Sequence, residues 1–136
     1  MERLAIPRAA ESEWRTILAE GSTSHPAFEP PQVEALPEVA QRWILQSVAV
    51  GTPLWESIEL EMTGEIRLNG AWRPFSARQA LAPSKGFVWA ARAMVGALPI
   101  RGFDRYLSNR GEMRWKLLGA IPVMTAQGQD VTSSAR

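Results

Sequence analysis

An aspartate among apolar neighbours is the strongest chemical signal in this sequence. Strand alternation places Asp104 on the same side as Ile100 and Tyr106, which predicts that it faces inward. A buried carboxylate requires a partner, and Arg73 and Gln79 are polar residues at otherwise inward positions. The predicted partner is Arg73. The pair is interpreted either as a structural ion pair or as the polar anchor of a binding cavity.

Aromatic residues supply the second chemical signal. The chain has six tryptophans in 136 residues, and Trp72, Trp89 and Trp115 fall on predicted strands. They are interpreted either as core packing or as the wall of an apolar pocket. The candidate ligand-binding residues are Asp104, Arg73, Tyr106, Trp89, Trp115 and Gln79.

Catalytic and metal-binding patterns are not found in the sequence. There is no cysteine and only one histidine, His25, which is predicted to be a solvated residue of a linker. Nucleophile-elbow, P-loop and dinucleotide-binding motifs are missing. An enzyme using Asp104 with Arg73 or Tyr106 is the lowest-ranked hypothesis, since no nucleophile and base can be paired. No catalytic residue, cofactor or metal is therefore predicted.

A β-hairpin over Ile58–Leu81 is the clearest structural pattern. Apolar and polar residues alternate from Ile58 to Leu68, and Asn69-Gly70 is typical of a type I′ turn. With a two-residue loop, Gly64 lies opposite Phe75 and Glu61 opposite Arg78.

Three further strands are predicted at Phe87–Val95, Ile100–Leu107 and Glu112–Leu118, with a fourth extended segment at Gly119–Gly128. The second and third form a hairpin around Ser108–Gly111, which places Tyr106 opposite Met113 and Asp104 opposite Trp115. Helices are predicted at Ala10–Glu20 and Pro37–Val50, and the second should pack on the sheet. The fold class is therefore α+β, a strongly twisted antiparallel meander resembling a half-barrel, with N-terminal helices on one face.

Domain organisation follows from composition. Residues 1–35 are interpreted as a helix and linker, and residues 36–136 as one α+β domain. Asp130 would cap a helix from Val131, but the chain ends at Arg136, which predicts a domain incomplete at its C-terminus. A missing continuation would leave an open sheet edge and favour self-association.

Composition also excludes several protein classes. A net charge of +1 does not favour nucleic-acid binding, and no apolar run is long enough for a membrane span. Without a signal-peptide pattern at Met1–Arg8, a soluble, cytoplasmic location is predicted.

Spaced motifs resemble those of a bacterial family of uncharacterised proteins known only as a domain of unknown function. The longer motifs are Gly64–Leu68, Trp72–Gln79, Gly86–Trp89 and Leu98–Tyr106. Further matching pieces are Gly111–Met113, Leu117–Val123 and Gly128. The resemblance implies no activity. The leading functional hypothesis is non-catalytic binding of a hydrophobic or lipid-like ligand in the curved sheet. The alternative is a protein-interaction or structural module without a small ligand.

Overall fold

The computed structural model describes residues 3–19, 25–68 and 70–128. Within these ranges, two α-helices precede a single sheet of six antiparallel strands in the order β1 to β6, so the predicted α+β meander is confirmed. Short 3₁₀ turns lie at Arg8–Ala10 and Pro30–Val33. The elements are α1 (Glu11–Ala19), α2 (Glu38–Ser47), β1 (Ile58–Leu68), β2 (Ala71–Ala82), β3 (Gly86–Val95), β4 (Leu98–Leu107), β5 (Arg110–Leu117) and β6 (Ile121–Gln127).

The first hairpin has the predicted register. Gly64 pairs with Phe75 and Glu61 with Arg78, because Leu68 and Ala71 close a two-residue loop. Gly70 has a φ of 80°, the left-handed conformation that a type I′ turn requires. Asn69, the other predicted turn residue, lies outside the described residues.

The predicted register of the second hairpin is wrong by two residues. Asp104 pairs with Met113 and Tyr106 with Gly111, because the loop contains only Ser108 and Asn109. Both loop residues have positive φ, 50° and 63°, which closes the strands as a tight turn without a glycine inside it. A shift of two residues keeps every side chain on its predicted face.

The first helix covers one face of the sheet. Trp14 and Ile17 of α1 pack with alanines of β2 and β3 and with Phe103 of β4. Small residues on the strands let the helix approach closely, so large side chains of α1 fill the space between the layers. We call this covered side the helix face. Its buried cluster is Ala10, Trp14, Ile17, Ala80, Ala82, Val88, Ala90 and Phe103.

The second helix was predicted to pack on the sheet, but it does not cover it. No residue of α2 is buried, and two of its apolar side chains, Val39 and Trp43, are 70% and 69% exposed. Both helices are amphipathic, but only α1 forms the buried core cluster with the strands. The covering helix is therefore the one nearer the N-terminus.

The segment predicted as a linker is partly built into the fold. Phe28 and Val33 are buried, and Phe28 exchanges backbone hydrogen bonds with residues 51 and 52. The prediction of a solvated His25 is wrong, since its ring centroid lies 3.8 Å from that of Trp55. Its Nδ1 is buried without a hydrogen-bond partner among the described residues.

The last strand agrees with the extended segment predicted between Gly119 and Gly128. The predicted helix from Val131 lies outside the described residues. Within the described ranges, neither helix has the length and apolar character needed to cross a membrane.

Candidate functional site

All six predicted site residues lie on the sheet face opposite α1. Cross-strand pairing aligns Gln79 of β2, Trp89 of β3 and Asp104 of β4 in one transverse row. Alternation along each strand adds Arg73, Tyr106 and Trp115 to the same face. We call this side the aromatic face, after the rings of Phe75, Trp89 and Trp115.

Three aromatic rings form a continuous tilted stack across β2, β3 and β5. The centroid of Trp89 is 6.5 Å from that of Phe75 and 5.8 Å from that of Trp115. These separations are those of favourable aromatic pairs. All three side chains are only partly buried, so the stack presents aromatic surface to the solvent side of the sheet.

One of these rings, that of Trp115, packs directly against a glycine. Gly102 of β4 lies opposite Trp115, and a Cβ placed on it would be 2.5 Å from Trp115 Cδ2. It would also be 2.5 Å from the backbone oxygen of Arg114. Glycine at position 102 therefore lets the indole lie close against β4, where it reaches both Trp89 and Asp104.

The partner of Asp104 is an indole, not the predicted arginine. Trp115 Nε1 donates a 2.9 Å hydrogen bond to Asp104 Oδ1, and no ion pair among the described residues includes this aspartate. Arg73 lies six positions along β2 from Gln79, the residue aligned with Asp104. At about 3.3 Å per residue that is roughly 20 Å, beyond the reach of a guanidinium.

Burial raises the pKa of Asp104 above its ordinary value of 3.8, and the hydrogen bond from Trp115 only partly opposes this. The folded state therefore holds the Asp104 proton more tightly than the unfolded state. The ionised carboxylate lowers stability above the folded pKa, and this penalty disappears as the pH falls below the unfolded pKa.

Replacing Asp104 by asparagine should therefore stabilise the protein at neutral pH. The introduced amide would keep an oxygen acceptor for Trp115 but would carry no charge. The gain in unfolding free energy over wild type should shrink as the pH falls through the folded pKa of Asp104. Urea unfolding of both proteins from pH 7 to pH 3 measures it.

The alanine variant provides the comparison. Asp104→Ala should cost about 1–3 kcal/mol, because it leaves the Trp115 donor without an acceptor. A loss of about 3–5 kcal/mol would instead require the broken ion pair expected from the sequence. A gain for Asp104→Asn that is unchanged across the pH range would contradict the raised pKa.

The remaining predicted residues occupy different parts of the aromatic face. The Gln79 side chain is half-buried and makes no hydrogen bond within the described part of the chain. Arg73 lies opposite Ile66, and its buried Nε lacks a partner among the described residues. Tyr106 lies near the end of the sheet, where its hydroxyl donates to Asn109 Oδ1 at 3.3 Å. It also lines a cavity of about 760 Å³ between α1 and two hairpins.

Sequence reasoning missed an ion-pair network on the helix face. Glu112 of β5 is 6% exposed and lies 2.5 Å from both Arg105 Nη2 and Arg114 Nη2. Arg105 Nη1 reaches α1, where it donates to Glu13 Oε1 at 2.6 Å. The network therefore joins α1 to β4 and β5. The signal available in the sequence was strand alternation, which places Glu112 and Arg105 on the same face of the sheet. In the observed register these two residues pair across β4 and β5.

The aromatic face carries polar groups as well as aromatic rings. Besides its rings, it carries the carboxylate of Asp104, the amide of Gln79, the guanidinium of Arg73 and the hydroxyl of Tyr106. Asp104 is engaged by an indole that cannot accept a proton. No group of three metal-binding side chains occurs among residues 3–19, 25–68 and 70–128. The rings and polar groups of this face can make apolar contacts, hydrogen bonds and charge interactions.

Comparison with known proteins identifies the family. Neither the curated proteins nor the solved structures include a match to this chain. A match to the family of unknown function DUF6544 covers residues 26–136, which include α2 and the whole sheet. The chain therefore belongs to the family of unknown function DUF6544.

Proposed function

We propose that the protein binds a hydrophobic, lipid-like molecule on the aromatic face of its sheet, without catalysing a reaction. The observation that supports this most directly is the stack of Phe75, Trp89 and Trp115 on the side opposite α1. Aromatic rings that remain partly exposed offer apolar area to a ligand at little entropic cost.

Aliphatic side chains extend this surface beyond the rings. Leu60 and Met62 of β1 share the face and lie next to Gln79 and Ala77 of β2. Leu60 is 38% exposed. Met124 of β6 lies on the same face near the opposite edge of the sheet and is 50% exposed. An extended acyl chain across the strands would cover these groups and remove apolar area from water.

The polar residues beside Trp89 favour a ligand that carries a hydroxyl group. Gln79 and Asp104 flank Trp89 in the transverse row, and Trp115 occupies only one oxygen of Asp104. A ligand hydroxyl can donate to the free oxygen and accept from the amide of Gln79. A neutral lipid with hydroxyl groups therefore fits better than a fatty-acid anion, which the Asp104 carboxylate would repel.

The proposal predicts that Trp89→Ala weakens binding of an apolar ligand by about tenfold, or about 1.4 kcal/mol. The test is titration with the fluorescent apolar probe N-phenyl-naphthylamine, followed by its displacement with monoolein and with oleate. Monoolein should displace the probe at lower concentration than oleate. Circular dichroism verifies that each variant is folded.

The matched control is Trp72→Ala. Trp72 also lies on the sheet, in β2, but alternation directs it to the opposite face, where it is 64% exposed. This variant should bind the probe like wild type. Equal losses in both variants, or no saturable binding by wild type, would contradict the proposal.

Self-association is the second candidate function. The outer strand β6 exposes Ile121, Val123 and Met124 at 57%, 54% and 50%. An outer strand with exposed apolar side chains is a template for pairing with another chain. A stable dimer by light scattering, combined with no probe binding, would favour this candidate over the lipid-binding one.

A further inference from the structure

A row of cations crosses the helix face beyond α1. Arg92 of β3 pairs directly with Arg101 of β4, and Arg101 pairs directly with Lys116 of β5. Like charges directly opposite each other on neighbouring strands destabilise a sheet. We call Arg92, Arg101 and Lys116 the cationic row.

Three arginines near the cationic row, Arg78, Arg105 and Arg114, have carboxylate partners. Arg78 lies 2.5 Å from Glu59, Arg105 lies 2.5 Å from Glu112, and Arg114 shares that same glutamate. Within the described ranges, neither Arg92, Arg101 nor Lys116 takes part in an ion pair. The cationic row is therefore an uncompensated concentration of positive charge beside charges that are paired.

A small cavity adjoins the cationic row. Its volume is about 160 Å³, and its polar lining includes Ser76, Arg92, Arg101 and Arg3. Ser76 lies directly opposite Arg92 on β2 and adds a hydroxyl donor. The N-terminal residues Leu4 and Pro7 also line it. Drug-sized ligands occupy roughly 300–1000 Å³, so this cavity suits a much smaller group.

We propose that Arg92 and Arg101 of the cationic row, together with Ser76, bind the phosphate group of a small soluble molecule. Two neighbouring guanidinium groups offer planar pairs of donors that match the oxygens of a phosphate. The bound dianion would also offset the repulsion between Arg92 and Arg101. This site is on the opposite side of the sheet from the aromatic face and is independent of the lipid-binding proposal.

The test compares thermal melting and calorimetric titration with inorganic phosphate, against sodium chloride at equal ionic strength and pH. Phosphate should raise the melting temperature of the wild-type protein more than chloride does. Arg92→Gln and Arg101→Gln should each weaken phosphate binding by about tenfold, the loss expected for a charge-assisted hydrogen bond. In chloride alone neither variant should melt below wild type, because each relieves like-charge repulsion.

The control is Arg42→Gln, which removes one positive charge from the exposed surface of α2. It should keep the full response to phosphate. A phosphate response that chloride reproduces, or that persists equally in all three variants, would overturn the proposal. A folded Arg92→Gln variant that retains wild-type phosphate affinity would also overturn it.

A second measurement distinguishes the source of the phosphate. The protein is sedimented with phosphatidylcholine vesicles that contain or lack phosphatidic acid. No sedimentation with either vesicle, together with binding of free phosphate, supports a soluble ligand. Sedimentation that requires phosphatidic acid and is lost in Arg92→Gln would overturn the soluble source and assign the site to a lipid headgroup.

Discussion

Trp14→Ala should lower the free energy of unfolding by about 3–5 kcal/mol, the range for truncating a buried tryptophan. Trp14 of α1 is 6% exposed and belongs to the core cluster between helix and sheet. The guanidinium carbon of Arg78 also lies 5.0 Å from its ring centroid, and this contact would be lost with the ring. Urea denaturation followed by circular dichroism measures the change.

Trp43→Ala is the matched control, because it is the same truncation on the other helix. Trp43 of α2 is 69% exposed, so its loss should change the unfolding free energy by no more than about 0.5 kcal/mol. This pair of variants identifies which amphipathic helix covers the sheet. Similar losses in the two variants would contradict the assignment of that role to α1.

Glu112→Ala should lower the unfolding free energy by about 3 kcal/mol. Glu112 is 6% exposed, and its carboxylate is shared by Arg105 and Arg114. Its removal leaves Arg114 without its carboxylate partner and leaves Arg105 paired with Glu13 alone. Breaking a buried ion pair from one side costs roughly 3–5 kcal/mol, and the lower end applies because the arginines are partly exposed. Glu65→Ala removes the same charge from the exposed surface of β1 and should cost within about 0.5 kcal/mol.

The same network predicts a direction of pH dependence. Burial alone would raise the pKa of Glu112, but the hydrogen bond from Gln127 and the charges of Arg105 and Arg114 outweigh it and lower the pKa below 4.5. The stability that Glu112 contributes is therefore fully present above pH 4.5 and is lost as the pH falls through the lower, folded pKa.

Glu112→Gln removes the charge but keeps the shape of the side chain. Its deficit relative to wild type should be largest at neutral pH and should shrink in acid. Unfolding curves at several pH values between about 7 and 2 measure this. A deficit that grows in acid, or a Glu112→Ala variant no less stable than Glu65→Ala, would contradict the role assigned to the network.

Local patterns in the sequence predicted the sheet and one of its faces. The alternation from Ile58 and the Asn69-Gly70 dipeptide of the sequence predict the register of the first hairpin that is observed, because both signals act between neighbouring residues. Period-two alternation also places Gln79, Trp89 and Asp104 on one face. The two-residue error at the second hairpin did not change that face, since a shift of two preserves side-chain direction.

Only the tertiary structure decided which groups meet. The sequence shows two amphipathic helices, but the core formed with α1, whose Glu13 also reaches Arg105 on the sheet. The sequence also shows two polar residues, Arg73 and Gln79, that could pair with Asp104. The distance along β2 excludes Arg73 as a partner. Gly102 allows the Trp115 ring to lie close to β4, and its indole binds Asp104 instead. Alternation is a property of adjacent residues, whereas partners separated by several strands depend on the register of the whole sheet.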